Sequence, residues 1–165
     1  MVSLPIPQGP QLIIQSVTGM HITPYGYSDS DVPAVVWRDA AATANKFSQW
    51  EFIPETGYGD RVVRIRNAAY NKDTGAWDRS LALIADVPEK GAAVLSRKSD
   101  SKSERQLWRL VSMDSAQADF VIRPFGADNL VVNTRQSYQQ GNAVLQLEEV
   151  GPWTDQFWRW QTVYS

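Results

Sequence analysis

Three copies of one motif are the feature of this sequence that most constrains its fold. GNAVLQLEEVGPWTDQFW (141–158) and GAAVLSRKSDSKSERQLW (91–108) share their length, their first glycine, an Ala-Val-Leu step and a Gln-x-Trp ending. VPAVVWRDAAATANKFSQW (32–50) is a looser copy, one residue longer, that keeps the closing tryptophan. Self-similarity at a fixed period indicates a structure assembled from equivalent units. The chain is therefore interpreted as three units.

An apolar run precedes each copy, at 11–16, 62–67 and 119–124. The first and third units have the same spacing between this run and the tryptophan, measured from Ile14 to Trp50 and from Ile122 to Trp158. The middle unit is about seven residues longer, and the excess falls in NAAYNKDTGAWDRS (67–80). One insertion thus accounts for the difference between the units.

Each unit contains four short apolar runs separated by Gly, Pro, Asn, Asp and Ser, which is the pattern of short β-strands joined by turns. Three units of four strands predict an all-β fold, the β-trefoil, with repeats at about 10–60, 61–113 and 118–165 in a single domain, 1–165. A four-strand unit cannot bury its own apolar face, whereas three together close a barrel. Trp50, Trp108 and Trp158 occupy equivalent positions and are predicted to pack in the core.

The composition excludes several kinds of function. The chain of 165 residues has a net charge of −2 and no basic run longer than two residues, so binding to nucleic acid is not expected. No apolar run is long enough to span a bilayer. The N-terminal stretch lacks the pattern of a signal peptide and the chain has no cysteine, which together favour a cytoplasmic location, although they are compatible with secretion by another route.

The residue inventory does not predict an enzyme. The single histidine, His21, lies on a predicted strand without a nucleophile motif beside it, and a zinc site needs more His or Cys ligands than the chain has. Glu148 and Glu149 are adjacent on a predicted strand and so point to opposite faces, which makes them a poor pair for glycoside hydrolysis. We expect these acids to form part of a solvated surface, and we expect neither a cofactor nor a metal.

The Gly-Ala-Val opening and the Gln-x-Trp ending resemble the repeats of the ricin B-like β-trefoil lectins. The full motif is present at 106–108 and 156–158, whereas the first unit has Ser48-Gln49-Trp50. The degenerate repeats of a chain without cysteines look most like those of fungal β-trefoil lectins. The resemblance implies a carbohydrate-binding protein for galactose- or N-acetylgalactosamine-type glycans. Each pocket would combine a second-strand acid or amide, a polar pair before the tryptophan and an aromatic ring for the apolar face of the sugar.

The third unit matches this pattern best. Asn133 stands at the second-strand position, Asp155 and Gln156 at the polar pair, and Asn142 in the Gly-Asn-Ala step. Leu147 stands at or near the stacking position, so Tyr138 or Trp153 would have to supply the ring.

The other two units match less well. The first has the aromatic residues Tyr25, Tyr27 and Trp37 with Asp39, but Phe47-Ser48 replaces the polar pair. In the second, Arg97 stands where a ring would be. Single sites of this kind would contribute ~4–6 kcal/mol, so useful affinity would come from clustered glycans or from a homodimer.

A protease inhibitor is the alternative, because β-trefoils of the mushroom clitocypin and macrocypin type bind proteases through loops. In the inserted segment 67–80, Asn71 in Tyr70-Asn71-Lys72 would be the bait residue for an asparagine-specific protease, and Trp77 would brace the loop or contact the partner. A lectin requires Asn133, Asp155 and Gln156 to converge on an exposed ring, whereas an inhibitor requires a rigid, protruding loop.

Overall fold

The fold was established from a computed structural model, which describes residues 5–26, 30–39, 41–83, 88–113, 120–134, 143–151 and 154–164. Within this part of the chain there are twelve strands, four for each unit. They are β1 (Gln11–Gln15), β2 (His21–Pro24), β3 (Val32–Trp37), β4 (Trp50–Pro54), β5 (Val62–Asn67), β6 (Arg79–Leu83), β7 (Val94–Lys98), β8 (Leu107–Ser112), β9 (Phe120–Pro124), β10 (Leu130–Thr134), β11 (Ala143–Glu149) and β12 (Trp158–Thr162).

Six of the strands close a barrel. Successive antiparallel pairs join β1 to β4, β4 to β5, β5 to β8, β8 to β9, and β9 to β12. The ring closes where β12 pairs with β1. The other six form the hairpins β2–β3, β6–β7 and β10–β11. Each hairpin contacts the other two, because β3 pairs with β7 and β11, and Ala93, just before β7, bridges Gln146 of β11. A closed ring of six strands with three hairpins beside it is the β-trefoil predicted from the repeats. Closure leaves the barrel strands without a free edge.

A short 3-10 turn leads into the last strand of every unit. These turns span Lys46–Ser48, Glu104–Gln106 and Thr154–Gln156. Two of them begin with a side-chain cap, since Asn45 accepts a hydrogen bond from the Phe47 amide and Ser103 accepts one from the Arg105 amide. A further 3-10 turn spans Ala42–Ala44.

The three equivalent tryptophans are fully buried in one cluster, as predicted. The indole N–H of Trp50 donates to the Ile22 carbonyl over 2.9 Å, and that of Trp158 donates to the Val132 carbonyl over 3.2 Å. Each of these rings therefore fills the core and also satisfies a second-strand carbonyl of its own unit. Pairing an indole N–H in this way removes the cost of burying an unbonded donor.

The strand register corrects the sequence alignment of the first unit by one residue. Trp50, Trp108 and Trp158 are opposite Gln11, Val63 and Phe120 respectively. Counting on from those partners makes Ile13 the equivalent of Ile65 and Ile122, and all three are buried in the main core. The equal spacing had suggested Ile14 as the equivalent of Ile122. Ile14 instead points to the opposite face of the strand and joins a small cluster with Leu12 and Ala42.

The insertion in the middle unit lies in the segment predicted for it. The loop from β5 to β6 spans 68–78, whereas the corresponding loops of the other units span only 16–20 and 125–129. No helix in the described ranges is long and apolar enough to cross a membrane.

Candidate functional site

The register of the three hairpins identifies equivalent positions at the ends of their strands. Thr23 is opposite Val35 in the first unit, and Asn133 is opposite Gln146 in the third. Two residues further along, Trp37 of β3 corresponds to Glu148 of β11. These positions lie on the hairpin face away from the core, where side chains can line a cavity.

In the first unit, this face forms a cavity of about 270 Å³ with aromatic and polar walls. Trp37 and Tyr25 line it and are 44% and 57% exposed. Its other lining residues are Thr23, Pro24, Gly26, Val35, Asp39 and Ser48. An exposed indole beside a carboxylate is an unusual use of tryptophan, because large apolar rings are normally buried. Three of the four residues named for this unit, Tyr25, Trp37 and Asp39, thus line one cavity, whereas Tyr27 lies outside the described residues.

The polar groups of this cavity are held in place locally. The hydroxyl oxygens of Thr23 and Ser48 are 3.2 Å apart, and Asn45 donates to the Ser48 hydroxyl over 3.4 Å. Asp39 accepts from the amide of Ala41 through Oδ1 over 2.9 Å. One oxygen of the Asp39 carboxylate therefore fixes its orientation.

His21 lies behind Trp37. It is opposite Trp37 in the β2–β3 ladder and is buried, and its Nε2 has no hydrogen-bond partner in the described structure. Burial lowers the pKa of His21 below its ordinary value, and the nearby Asp39 carboxylate opposes this shift. A buried neutral imidazole on a strand agrees with the prediction that His21 is a strand residue.

In the third unit, the equivalent cavity has a volume of about 290 Å³ and is lined by Lys90, Asn133, Glu148 and Asp155. Asn133 donates to Asp155 Oδ2 over 3.1 Å. The ammonium of Lys90 lies 3.4 Å from Glu148 Oε1. All four described lining residues are thus polar or charged, in contrast to the first unit.

The Asp155 carboxylate lies in an unfavourable environment for its charge. Burial raises the pKa of Asp155, and the Glu148 carboxylate adds to the increase, while the Asn133 hydrogen bond and the backbone oppose it. The backbone around it is anchored from the first unit, because Gln15 donates to the Asp155 carbonyl over 3.0 Å and to Thr134 over 3.2 Å.

The remaining predicted residues of the third unit take other places. Gln156 is 1% exposed and is not among the described lining residues. Its side chain donates to the Glu149 carbonyl and accepts from the Gly151 amide. The residue at the predicted stacking position, Leu147, is buried in the core, and its neighbour Glu148 lines the cavity instead. Tyr138, Asn142 and Trp153 lie outside the described residues.

In the second unit, an ion-pair cluster occupies the equivalent position. Arg97 lies 3.0 Å from Asp31, which also contacts Arg79 at 3.2 Å. Since Arg97 is paired with Ser80 as Trp37 is with His21, it stands where a ring would be, as the sequence indicated.

Sequence reasoning missed Lys90 and set Glu148 aside as a surface acid. Strand alternation was the available signal for Glu148, because Asn133 and Gln146 are opposite each other and a residue two positions from Gln146 shares its face. Nothing local signals Lys90, which comes from the turn before β7 of the second unit.

The inserted loop is folded on itself. The Asn71 side chain accepts hydrogen bonds from the Asp73 and Thr74 amides, and the Asn71 amide donates to the Ala76 carbonyl. Trp77 packs edge-on against Phe47 with ring centroids 4.9 Å apart. This contact favours bracing of the loop over contact with a partner, the two roles that the sequence left open for Trp77.

The other residues named for an inhibitor are Tyr70 and Lys72. The guanidinium carbon of Arg66 lies over the Tyr70 ring, 4.2 Å from the centroid of that ring. Lys72 is exposed. Since the Asn71 side chain caps its own turn, it would have to leave this turn to enter a protease. Protease inhibition remains an untested prediction.

Comparison with known proteins confirms the fold. Similar structures include the designed threefold-symmetric protein ThreeFoil (12% identity, 92% of this chain and 96% of that chain, TM-score 0.75). They also include the Macrolepiota procera ricin B-like lectin in complex with lactose, which is 16% identical and matches over 95% of this chain and 98% of the lectin, with a TM-score of 0.70. No protein-family model matches the sequence, and no curated protein matches it. At these identities the likeness establishes the β-trefoil fold and no more.

An enzyme is also among the structural neighbours. The chain matches the exo-β-1,3-galactanase 1,3Gal43A of Clostridium thermocellum with 17% identity and a TM-score of 0.75, over 97% of this chain but only 32% of the enzyme. In the described residues, no group of three or more His, Asp or Glu side chains is arranged to hold a metal ion.

Proposed function

We propose that this protein is a non-catalytic lectin that binds galactose- or N-acetylgalactosamine-type glycans through the repeat pockets of its trefoil. The observation that carries the proposal is Trp37, an exposed indole above a cavity that also contains the Asp39 carboxylate. A pyranose has one face rich in C–H groups and a rim of hydroxyls, so it matches a pocket that combines a ring with a carboxylate.

The choice of sugar follows from the same arrangement. The axial 4-hydroxyl of galactose leaves a continuous C–H face on the opposite side of the ring, and this face can lie on the Trp37 indole. The adjacent 3- and 4-hydroxyls can then both donate to a single carboxylate, here Asp39. The structural neighbour solved with lactose, a galactose-terminated disaccharide, supports this choice.

A titration of the folded protein with methyl β-galactoside and methyl β-glucoside tests the proposal. We expect the galactoside to bind in the millimolar range or slightly tighter, as for a shallow single site of ~4–6 kcal/mol. Trp37→Ala should weaken binding at least about tenfold, equivalent to ~1.4 kcal/mol, whereas Trp37→Phe should retain part of the affinity. Asp39→Asn should reduce the preference for the galactoside over its 4-epimer.

A matched control uses an exposed ring that is not among the residues described as lining the Trp37 cavity. Tyr164 is 88% exposed, so Tyr164→Ala should leave sugar binding unchanged. Equal binding of both glycosides, or galactoside binding that survives Trp37→Ala, would exclude this pocket as the galactose site. We further propose a cytoplasmic location, to be checked by fractionating cells that express the natural gene.

A further inference from the structure

The third-unit cavity differs chemically from the Trp37 cavity, although the two are equivalent in the fold. At the position of the exposed indole stands Glu148, and a second carboxylate, Asp155, lines the same cavity. With Lys90 as the one cation among the described lining residues, the cavity has an excess of negative charge when both acids are ionised. No aromatic ring is among the described lining residues to contact the face of a neutral sugar, and the excess negative charge attracts cations.

The cavity also contains hydrogen-bond acceptors without donors. Asn133 is 6% exposed, and its Oδ1 has no partner in the described part of the structure. The same holds for Oδ1 of Asp155, whose other oxygen accepts the Asn133 amide. A buried acceptor without a donor is costly, so a ligand that supplies donors is favoured. Both unpaired atoms are acceptors, which selects a ligand rich in N–H and O–H groups.

Lys90 shows that this cavity can hold an ammonium group. Its Nζ is 3.4 Å from Glu148, while 60% of its side chain remains exposed. An ion pair so open to solvent contributes little, because water and salt screen it. A ligand ammonium can therefore replace that of Lys90 at Glu148 at small cost.

We infer that the third-unit cavity binds an amino sugar with a free, protonated amine. Its ammonium pairs with Glu148 in place of Lys90, and its ring hydroxyls donate to Asn133 and Asp155. This site is separate from the Trp37 cavity and binds a different chemical class of sugar, so it holds even where no neutral galactoside binds.

Calorimetric titration of the full chain with methyl 2-amino-2-deoxy-β-glucoside tests the inference. The N-acetylated glycoside, which has the same ring without the charge, should bind at least about tenfold more weakly, and n-propylamine, which has the charge without the ring, should also bind at least about tenfold more weakly. Equal or tighter binding of the N-acetylated sugar would overturn the requirement for charge. Equal binding of n-propylamine would overturn the assignment to a sugar.

Variants assign the binding to this cavity. Glu148→Gln should weaken the amino sugar at least about tenfold, and Lys90→Met should tighten it several-fold, because it removes the competing cation. Trp37→Ala should leave it unchanged while weakening galactoside binding at least about tenfold, which separates this inference from the lectin proposal. If Lys90→Met bound the amino sugar less well than the natural protein, the exchange of ammonium groups would be refuted. This test does not depend on whether Glu148→Gln folds.

Discussion

Replacing Gln156 with alanine removes two hydrogen bonds between the end of β11 and the turn Thr154–Gln156, which carries Asp155 of the third-unit cavity. Gln156 donates to the Glu149 carbonyl over 2.7 Å and accepts from the Gly151 amide over 3.0 Å. At about 1 kcal/mol net for each bond, Gln156→Ala should lower the free energy of unfolding by ~2 kcal/mol. In a chain of this length, that corresponds to a fall in melting temperature of ~4–8 °C.

The equivalent Gln106 provides an internal comparison. It donates to the Lys98 carbonyl and accepts from both the Asp100 amide and the Arg64 guanidinium. The third bond involves a charged donor and is the stronger kind. Gln106→Ala should therefore cost ~3–5 kcal/mol, which is more than Gln156→Ala.

Urea denaturation followed by tryptophan fluorescence measures both changes. Gln161 is exposed on β12, so Gln161→Ala is a matched control that should change stability by less than ~0.5 kcal/mol. If Gln156→Ala were as stable as this control, its bonds would not matter to the fold. If the variant also stayed folded and lost sugar binding, Gln156 would belong to the ligand site and the structural role assigned to it would be refuted.

Three further predictions concern titration and the inserted loop. His21→Gln should flatten the dependence of stability on pH. Because the pKa of His21 is lowered in the folded state, the natural protein has its full stability above about pH 6.5 and loses some as the pH falls through the folded pKa. Thermal melts of both proteins across this pH range would show the difference. Asp155→Asn should raise the melting temperature at pH 7 and not at pH 3. Because the pKa of Asp155 is raised in the folded state, its contribution to stability is complete below about pH 3.8 and is lost as the pH rises through the folded pKa. An equal rise in melting temperature at pH 7 and pH 3 would contradict this. Trp77→Ala removes the contact with Phe47 and should speed proteolysis within 68–78, as seen by mass spectrometry; an unchanged cleavage rate would show that Trp77 does not brace the loop.

The sequence predicted the architecture because each signal occurs three times. A single apolar run or a single buried tryptophan is weak evidence, but Trp50, Trp108 and Trp158 at the same place in three units specify a shared core position. The length and place of the insertion followed from the same comparison. Threefold repetition thus determined the strand number and the fold class.

The errors at the level of single side chains come from one-residue shifts. A shift by one position moves a strand side chain to the opposite face, which explains why Ile14 was aligned where Ile13 belongs and why Leu147 was considered where Glu148 lines the cavity.

Other features of the site depend on contacts that no local pattern reveals. A glutamine amide suits a sugar and a backbone equally well, so Gln156 could not be assigned from its residue type. Lys90 reaches the third-unit cavity from the second unit, a contact between residues that are distant in sequence.

The seam between β1 and β12 sets the order of events during biosynthesis. Five consecutive residue pairs, from Gln11 opposite Thr162 to Gln15 opposite Trp158, join the first barrel strand to the last. While the ribosome is still making the third unit, β1 has no such partner, and its edge remains available to other chains. Barrel closure must wait for this most distant pairing, which favours slow folding. The nascent protein is therefore most at risk of aggregation just before synthesis of β12 is complete.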